Sequence, residues 1–265
     1  MALADRVVVV TGGARGIGRA LIEGFLGEES KVVAIDLAWE GEEEFKDLIE
    51  QKHGGLTLSA DVRDEASIER ALVETLKTFG TVDVLVNNAG LRQRNMVPWM
   101  YVKTLELDID KWQLMIDVNV LGPLRVTRQF AKPMIAQRSG SIINVGSITG
   151  DYGIPGMQPY AMSKAALKNW TLSLAHELKE FNIAVNVFSP GMSWTTGTGE
   201  AQEEQTRVLG TTTFPPSYRP ESCVPLVLML AQQDARLTGQ WIPDVIEWNL
   251  LHGLGGHDVW EFKKK

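Results

Sequence analysis

The sequence predicts an α/β fold, a single domain built on a doubly wound parallel sheet of about seven strands with helices on both faces. Three observations predict it. Short β-branched runs alternate with helix-length stretches along the whole chain, and parallel strands need crossovers of that length. The first such run is apolar without alternation, as strands buried on both faces are. The 265 residues, 44% apolar and 22% charged, match a globular chain that hides roughly 75% of its unfolded surface.

The elements follow in order. Val7 to Val10 forms the first strand, and a glycine-rich turn leads into a helix from Ile17 to Glu28. Lys31 to Asp36 is the second strand, followed by an acidic helix over Glu42 to His53. Leu56 to Ala60 is the third strand, Glu65 to Phe79 the next helix, and Val82 to Val86 the fourth strand. A long helical region spans Asp110 to Ala136, interrupted at Gly122-Pro123. Gly140 to Val145 and Ile183 to Phe188 are strands flanking an amphipathic helix over Tyr160 to Phe181. Thr238 to Ile246 supplies the last strand, and crossovers are right-handed. No linker divides the chain, so residues 1–265 are expected to form one domain, with a lid over 192–220 and a terminal strand and tail over 238–265.

Charge and cysteine content exclude several classes. Thirty-three acidic against 26 basic residues give a net charge of −7, a poor start for binding nucleic acid or an anionic membrane. Cys223 is the lone cysteine, so no intrachain disulfide forms. His53, His176, His252 and His257 lack zinc-ligand spacing, so no metal is expected. No apolar run approaches the roughly 20 residues of a membrane span. Asp5 and Arg6 stand where a secretory signal needs its apolar core. The expectation is a cytoplasmic protein.

Chemistry first shows in Thr11-Gly12-Gly13-Ala14-Arg15-Gly16-Ile17-Gly18. Glycines at 12, 16 and 18 allow a tight turn and close backbone approach to a ligand. The helix behind it offers free N–H groups and partial positive charge to a pyrophosphate. Asp36 closes the next strand eighteen residues beyond Gly18, where the dinucleotide fingerprint places an acid on the ribose hydroxyls. A carboxylate there repels a 2′-phosphate, so NAD is favoured over NADP. Arg15 complicates the preference: it reaches toward a 2′-phosphate, pairs with Asp36 or lies on the surface.

The second site is Tyr160-Ala161-Met162-Ser163-Lys164, whose i and i+4 members share a helix face. A nearby ammonium favours the phenolate and lowers the tyrosine pKa, so Tyr160 can exchange a proton with an alcohol or carbonyl oxygen. Ser147 follows a strand at its carboxyl end, where ligands bind in such sheets. Taken alone, the tyrosine–lysine pair reads more simply as a surface helix.

Together, the turn at 11–18, Asp36, Asp61-Val62, Asn87-Asn88-Ala89-Gly90, Asn119, Ser147, Tyr160/Lys164 and Pro190-Gly191 resemble the short-chain dehydrogenase/reductase family in order and spacing. The resemblance runs from about Val7 to Thr195 and more weakly to about Ile242. It implies a Rossmann-type domain, a homotetramer, and hydride exchange between NAD(H) and a secondary alcohol or ketone. By resemblance, Gly12, Gly16, Ile17 and Gly18 line the pyrophosphate side and Asp36 takes the adenosine ribose, with Arg15 counted among the cofactor-binding residues. Asp61 and Val62 contact adenine, and Asn88, Ala89 and Gly90 line the cofactor, with Asn88 also steadying the sheet. Asn119, Ser147, Tyr160 and Lys164 correspond to the catalytic tetrad. Ser147 orients the substrate oxygen, and Tyr160 is general acid or base. Lys164 binds the nicotinamide ribose and depresses the tyrosine pKa. Asn119 kinks its helix and holds a water toward Lys164. Pro190, Gly191, Ser193 and Thr195 place the nicotinamide. Two departures stand out: family members carry an aliphatic residue at position 193, and Arg92 to Asp108 holds about half a dozen extra residues, as loops tolerate.

Substrate contacts are expected from the segments around the tetrad. Ile154, Met157, Met192 and Trp194, with Ser147, Tyr160 and Trp99, suggest a partly apolar pocket, although any one of them fits a plain core role equally well. Arg92 and Arg94 can bind an anionic substrate group, but surface ion pairs are the commoner fate of such arginines. Two other readings compete: an NADPH-dependent 3-oxoacyl-type reductase, against which Asp36 argues, and a non-catalytic dinucleotide-binding scaffold, against which the intact tetrad argues.

Overall fold

In Val7-Val8-Val9-Val10 successive side chains point to opposite sheet faces, and both faces are buried. Val7 and Val9 join one apolar cluster, Val8 and Val10 the other. The computed structural model describes residues 3–92, 103–153, 155–191, 217–254 and 259–260. Strand β1 is Val7–Thr11, and β2 (Lys31–Asp36), β3 (Leu56–Ser59), β4 (Val84–Asn87), β5 (Gly140–Val145) and β6 (Ile183–Phe188) follow. With β8 (Trp241–Ile242) they form a seven-stranded parallel sheet ordered β3-β2-β1-β4-β5-β6-β8. The order reverses between β1 and β4, so their carboxyl ends, Thr11 and Asn87, open the crevice where such sheets bind ligands. A separate antiparallel pair joins β7 (Ser217–Tyr218) to β9 (Val259–Trp260).

Helices cover both faces. On one side α1 (Gly16–Gly27), α2 (Glu43–Asp47), α7 (Val224–Ala231) and α8 (Val245–Leu251) bury Phe25, Phe45, Leu226 and Val245. On the other, α3 (Glu65–Phe79), α5 (Gly122–Gln137) and α6 (Gln158–Leu178) bury Ile68, Phe130, Met134 and Ala175. Helix α4 (Ile109–Ile116) leads into α5. Local chemistry sets several boundaries. Asp64 accepts the Ala66 N–H at the start of α3, and Gly80 ends it at φ 76°.

The expected elements are present, with four differences. The long helical region is not broken at Gly122-Pro123. It widens into a π turn over Asp117–Leu121, and Pro123 falls in the first turn of α5, where proline is tolerated. The second helix likewise loosens into π turns over Leu48–Lys52. The last strand shrinks to Trp241–Ile242, because Asp244 accepts the Ile246 and Glu247 N–H groups and starts a helix. Helix α7, Val-Pro-Leu-Val-Leu-Met-Leu-Ala, has too uniform an apolar pattern to show a period in sequence. The expected lid falls mostly on residues outside those described.

Candidate active site

The glycine turn is folded tightly onto the end of β4. Gly12 has φ +66°, a conformation other residues seldom adopt, and a Cβ there would lie 2.8 Å from the Ala89 Cα. A Cβ on Gly18 would lie 2.0 Å from the Gly12 carbonyl oxygen. Asn88 locks this contact: its Nδ2 donates to the carbonyls of Thr11 (3.0 Å) and Gly12 (2.9 Å). Thr11 Oγ1 in turn accepts the Asn88 and Ala89 N–H groups, both at 3.1 Å. Helix α1 then begins with no side-chain cap and no acid in its first turn, so its positive end is unneutralised.

Asp36 faces this turn. Its Oδ2 accepts the Ala14 N–H at 2.9 Å and its Oδ1 the Leu37 N–H at 2.7 Å, which leaves further lone pairs for hydroxyl donors. Arg15 does not pair with Asp36. Its Nε bonds Glu42 Oε1 at 2.8 Å and its Nη2 the Glu40 carbonyl at 3.0 Å, with 64% of the side chain exposed. Asp61, at the end of β3, is gripped by Arg63 at 2.6 Å, and that hydrogen bond holds its carboxyl below the usual aspartate range. Val62 is buried beside Gly122. An uncapped helix start, carboxylate acceptors at Asp36 and ammonium donors at Lys164 suit a pyrophosphate flanked by two riboses.

Five segments converge across the crevice. Asn119 lies in the π turn, fully buried, and clamps the backbone after Gly90: its Oδ1 accepts the Leu91 N–H at 2.7 Å and its Nδ2 donates to the Leu91 carbonyl at 2.8 Å. The same Nδ2 reaches Ser163 Oγ at 3.1 Å, and Ser163 Oγ donates to the Tyr160 carbonyl at 2.7 Å. Gly90 packs between Asn119 and Lys164, whose Nζ would lie 3.7 Å from a Cβ there. Ser147 caps the 3-10 turn Ile148–Asp151, hydrogen-bonds Thr149 Oγ1 at 2.8 Å, and stands close enough to the Tyr160 hydroxyl to lower its pKa. Beneath lies Ser189, fully buried, whose Oγ accepts the Ile148 N–H at 3.0 Å and the Gly191 N–H at 3.4 Å.

Lys164 is 6% exposed, donates to the Val145 carbonyl at 2.8 Å, and sits 5.8 Å from the Tyr160 ring centroid. The sequence placed these two side by side, and they are. The net shift of the phenol is upward, and burial is its cause. Tyr160 keeps part of its surface open, yet the protein mass around its phenol raises the pKa above 10, opposed by the Arg92 charge and the Ser147 hydrogen bond. Burial first, and Arg92 second, pull Lys164 down to about 8.

Arg92, set beside the bland reading in sequence, therefore adds its charge to both groups. Thr11, Ser163 and Ser189 were not singled out, since nothing local marks a serine or threonine as the tie between two distant segments. Met157 lies half-buried at the start of α6, one turn from Tyr160. Pro190 and Gly191 close β6 beside Ser147, with Gly191 at φ +65°. Ile154, Met192, Ser193, Trp194, Thr195, Arg94 and Trp99 lie outside the described residues.

The chain matches the short chain dehydrogenase family over residues 6–206. It is 38% identical to fluoren-9-ol dehydrogenase of Terrabacter sp. (strain DBF63), over 98% of this chain and 76% of that protein. It is 35% identical to the 3-oxoacyl-acyl-carrier-protein reductase FabG of Thermotoga maritima, over 91% of this chain and 97% of that one. Among solved structures, an actinorhodin polyketide ketoreductase variant with NADPH superposes with TM-score 0.80 at 27% identity, covering 90% of this chain and 95% of that one. A 3-oxoacyl-(acyl-carrier protein) reductase with bound NAD from Brucella melitensis superposes with TM-score 0.77 at 29% identity, covering 92% and 90%.

Proposed function

The chain belongs to the short-chain dehydrogenase family, and from that premise we propose that it is an NAD-preferring dehydrogenase of a secondary alcohol with Tyr160 as its proton-transfer group. It is an oxidoreductase acting on a CH–OH carbon or the corresponding ketone. The observation that carries the finer reading is the placing of Tyr160 beside both Ser147 and the buried Lys164, at the carboxyl edge of the sheet.

When bound, the nicotinamide takes the hydride from the alcohol carbon or returns it to the ketone. The chain supplies position and protons. Gly12, Gly16, Ile17 and Gly18, at the uncapped start of α1, hold the pyrophosphate. Asp36 accepts from the adenosine ribose, and Asp61 and Val62 flank adenine. Asn88, Ala89 and Gly90 form the wall of the crevice. Pro190, Gly191, Ser193 and Thr195 fix the nicotinamide end, and Lys164 donates to its ribose. Ser147 donates a hydrogen bond to the substrate oxygen. Tyr160 then accepts the alcohol proton in oxidation or donates its own in reduction. Because burial keeps the phenol protonated through neutral pH, ketone reduction is ready at pH 7, while oxidation speeds up as pH rises.

Preference for NAD rests on Asp36, whose carboxylate repels a 2′-phosphate, and on Arg15, which Glu42 engages. The alignment over 98% of the chain with a relative named for fluoren-9-ol supports an apolar cyclic alcohol as substrate, received by Met157, Ile154, Met192 and Trp194. A 3-oxoacyl reductase using NADPH is the second reading, favoured by the Thermotoga maritima relative. Exposed Ile109, Leu121 and Leu124 along α4, the π turn and α5, and Met162 on α6, support a homotetramer. Among the described residues no helix is long and apolar enough to cross a membrane, and we place the protein in the cytoplasm.

Two measurements test the reading. Tyr160→Phe is expected to lower turnover about 1,000-fold with NAD affinity within about threefold of wild type, and substantial residual turnover would refute it. An absorbance screen of fluoren-9-ol, other cyclic alcohols and 3-oxoacyl thioesters, with both cofactors, should give the highest kcat/KM for a cyclic alcohol with NAD. A preference for the thioesters with NADPH selects the second reading.

A further inference from the structure

Ser147 can orient a substrate oxygen only if its own backbone is held still, and its 3-10 turn is only half-buried. Three side chains from distant segments close around that turn. Asp151, its last residue, makes an ion pair through Oδ1 with Lys168 Nζ and accepts the Trp241 Nε1–H through Oδ2 at 3.0 Å. Lys168 Nζ also stands 5.3 Å from the Trp241 ring centroid. The Lys168 and Asp151 side chains are only 26% and 23% exposed, so both carboxylate oxygens and the ammonium are largely spoken for by one another.

The three segments they join bracket Ser147. Trp241 belongs to β8, and its ring lies against Gly146, the residue before Ser147: a Cβ at Gly146 would sit 3.1 Å from the Trp241 Cζ3. Lys168 lies one helical turn beyond Lys164 on α6. Between them the turn presses onto that helix, where a Cβ at Gly150 would sit 2.7 Å from the Ala165 nitrogen and 2.9 Å from the Lys164 carbonyl carbon. The turn is thus held at its entrance by the indole ring, at its exit by the indole N–H and the lysine, and along its length by the helix that carries Tyr160.

We propose that Asp151, Lys168 and Trp241 form a positioning clamp that sets the Ser147 hydroxyl against Tyr160, and that through it the last strand of the sheet controls turnover. The clamp touches neither substrate nor cofactor; it acts through Ser147, and it rests on the role given to Ser147 above. A misplacement of 1 Å at a reacting group can cost about 100-fold in rate, so the clamp's loss should show in kcat rather than in cofactor binding. Asp151→Asn keeps an acceptor for the indole and loses the ion pair. Trp241→Phe keeps the ring against Gly146 and loses the N–H. Lys168→Arg keeps the cation.

The experiment measures kcat and KM with NAD and the fastest alcohol of the panel, fluoren-9-ol being the first probe, together with NAD affinity by fluorescence. Asp151→Ala should lower kcat about tenfold or more, Asp151→Asn and Trp241→Phe less, with NAD affinity within twofold. Lys168→Met should resemble Asp151→Asn, and Lys168→Arg should restore turnover. In a Ser147→Ala background, Asp151→Ala should add little, because the group it positions is already gone. Unchanged kcat in Asp151→Ala, or losses that multiply in the double variant, overturn the clamp and leave the role of Ser147 intact. Full turnover in Ser147→Ala alone overturns that role, and the clamp with it. Where Asp151→Ala fails to fold, Trp241→Phe in both backgrounds carries the same comparison.

Discussion

The two sides of the crevice are built from different materials. On the dinucleotide side the contacts are backbone: glycines pressed to 2.0 Å and 2.8 Å of what a Cβ would meet, and Asn88 bonded to two main-chain carbonyls. On the proton-transfer side they are buried polar side chains, Asn119, Ser163, Lys164 and Ser189, drawn from segments up to 70 residues apart and each satisfied by one of the others or by a main-chain group. A backbone site fails by steric intrusion. A side-chain site fails when one polar partner is removed and its neighbour is left buried and unpaired.

The contrast breaks most sharply at Gly18. Gly18→Val forces atoms into the Gly12 carbonyl, and we expect NAD affinity to fall at least about 100-fold with about 3 kcal/mol of stability lost to overpacking. NAD titration and thermal unfolding check both, and unimpaired binding would contradict the packing. Asn119→Ala is the counterpart on the other side. It strands the N–H and carbonyl of Leu91, at about 1–3 kcal/mol for the groups left unpaired. Calorimetry should find that loss, with turnover falling more than NAD affinity, the reverse of Gly18→Val.

Lys164 sharpens the comparison through pH. Its pKa is held at about 8 in the fold against 10.5 ordinarily. Between those values the unfolded chain holds a proton that the folded one has lost, so stability rises with pH across that window. Below about pH 8 the buried charge costs about 3 kcal/mol. Lys164→Met removes that cost and a hydrogen bond worth about 1 kcal/mol. The cofactor-free variant should therefore be more stable at pH 7 by about 2 kcal/mol, with the advantage gone by pH 10.5 and activity lost. Denaturant melts at several pH values test the sign. The smallest effects belong to the exposed dinucleotide rim. Asp36→Ala should shrink NAD preference over NADP about tenfold, a change near 1.4 kcal/mol. Arg15→Ala, whose pair with Glu42 is exposed, should move either affinity less than threefold, as surface pairs do. Competitive titration with both cofactors reads out each.

Legibility in the sequence follows the same division. The glycine turn, Asp36 and the Tyr160/Lys164 spacing could be read from short windows, because each depends on residues within one turn or one βαβ step. Asn119 entered only by resemblance and Ser147 only by its place at the end of a strand, since their neighbours in sequence say nothing of Leu91, Ser163 or Tyr160. The last strand was overextended because Trp241 to Ile246 is apolar enough for either state, and the Asp244 cap decided for helix. Nothing near Trp241 in sequence marks its contact with Gly146 or Asp151.

By itself, then, the amino-acid order determined the alternation of elements, the parallel sheet, and which local motifs could hold a dinucleotide and exchange a proton, because period, glycine geometry and i,i+4 spacing are properties of short segments. Only the tertiary structure decided that Arg15 goes to Glu42 rather than Asp36, that the phenol of Tyr160 is raised rather than lowered, and that a tryptophan 94 residues beyond Ser147 leans on the glycine before it. Desolvation and ion pairing depend on everything packed around a group, and that packing is set by contacts between residues far apart in the chain.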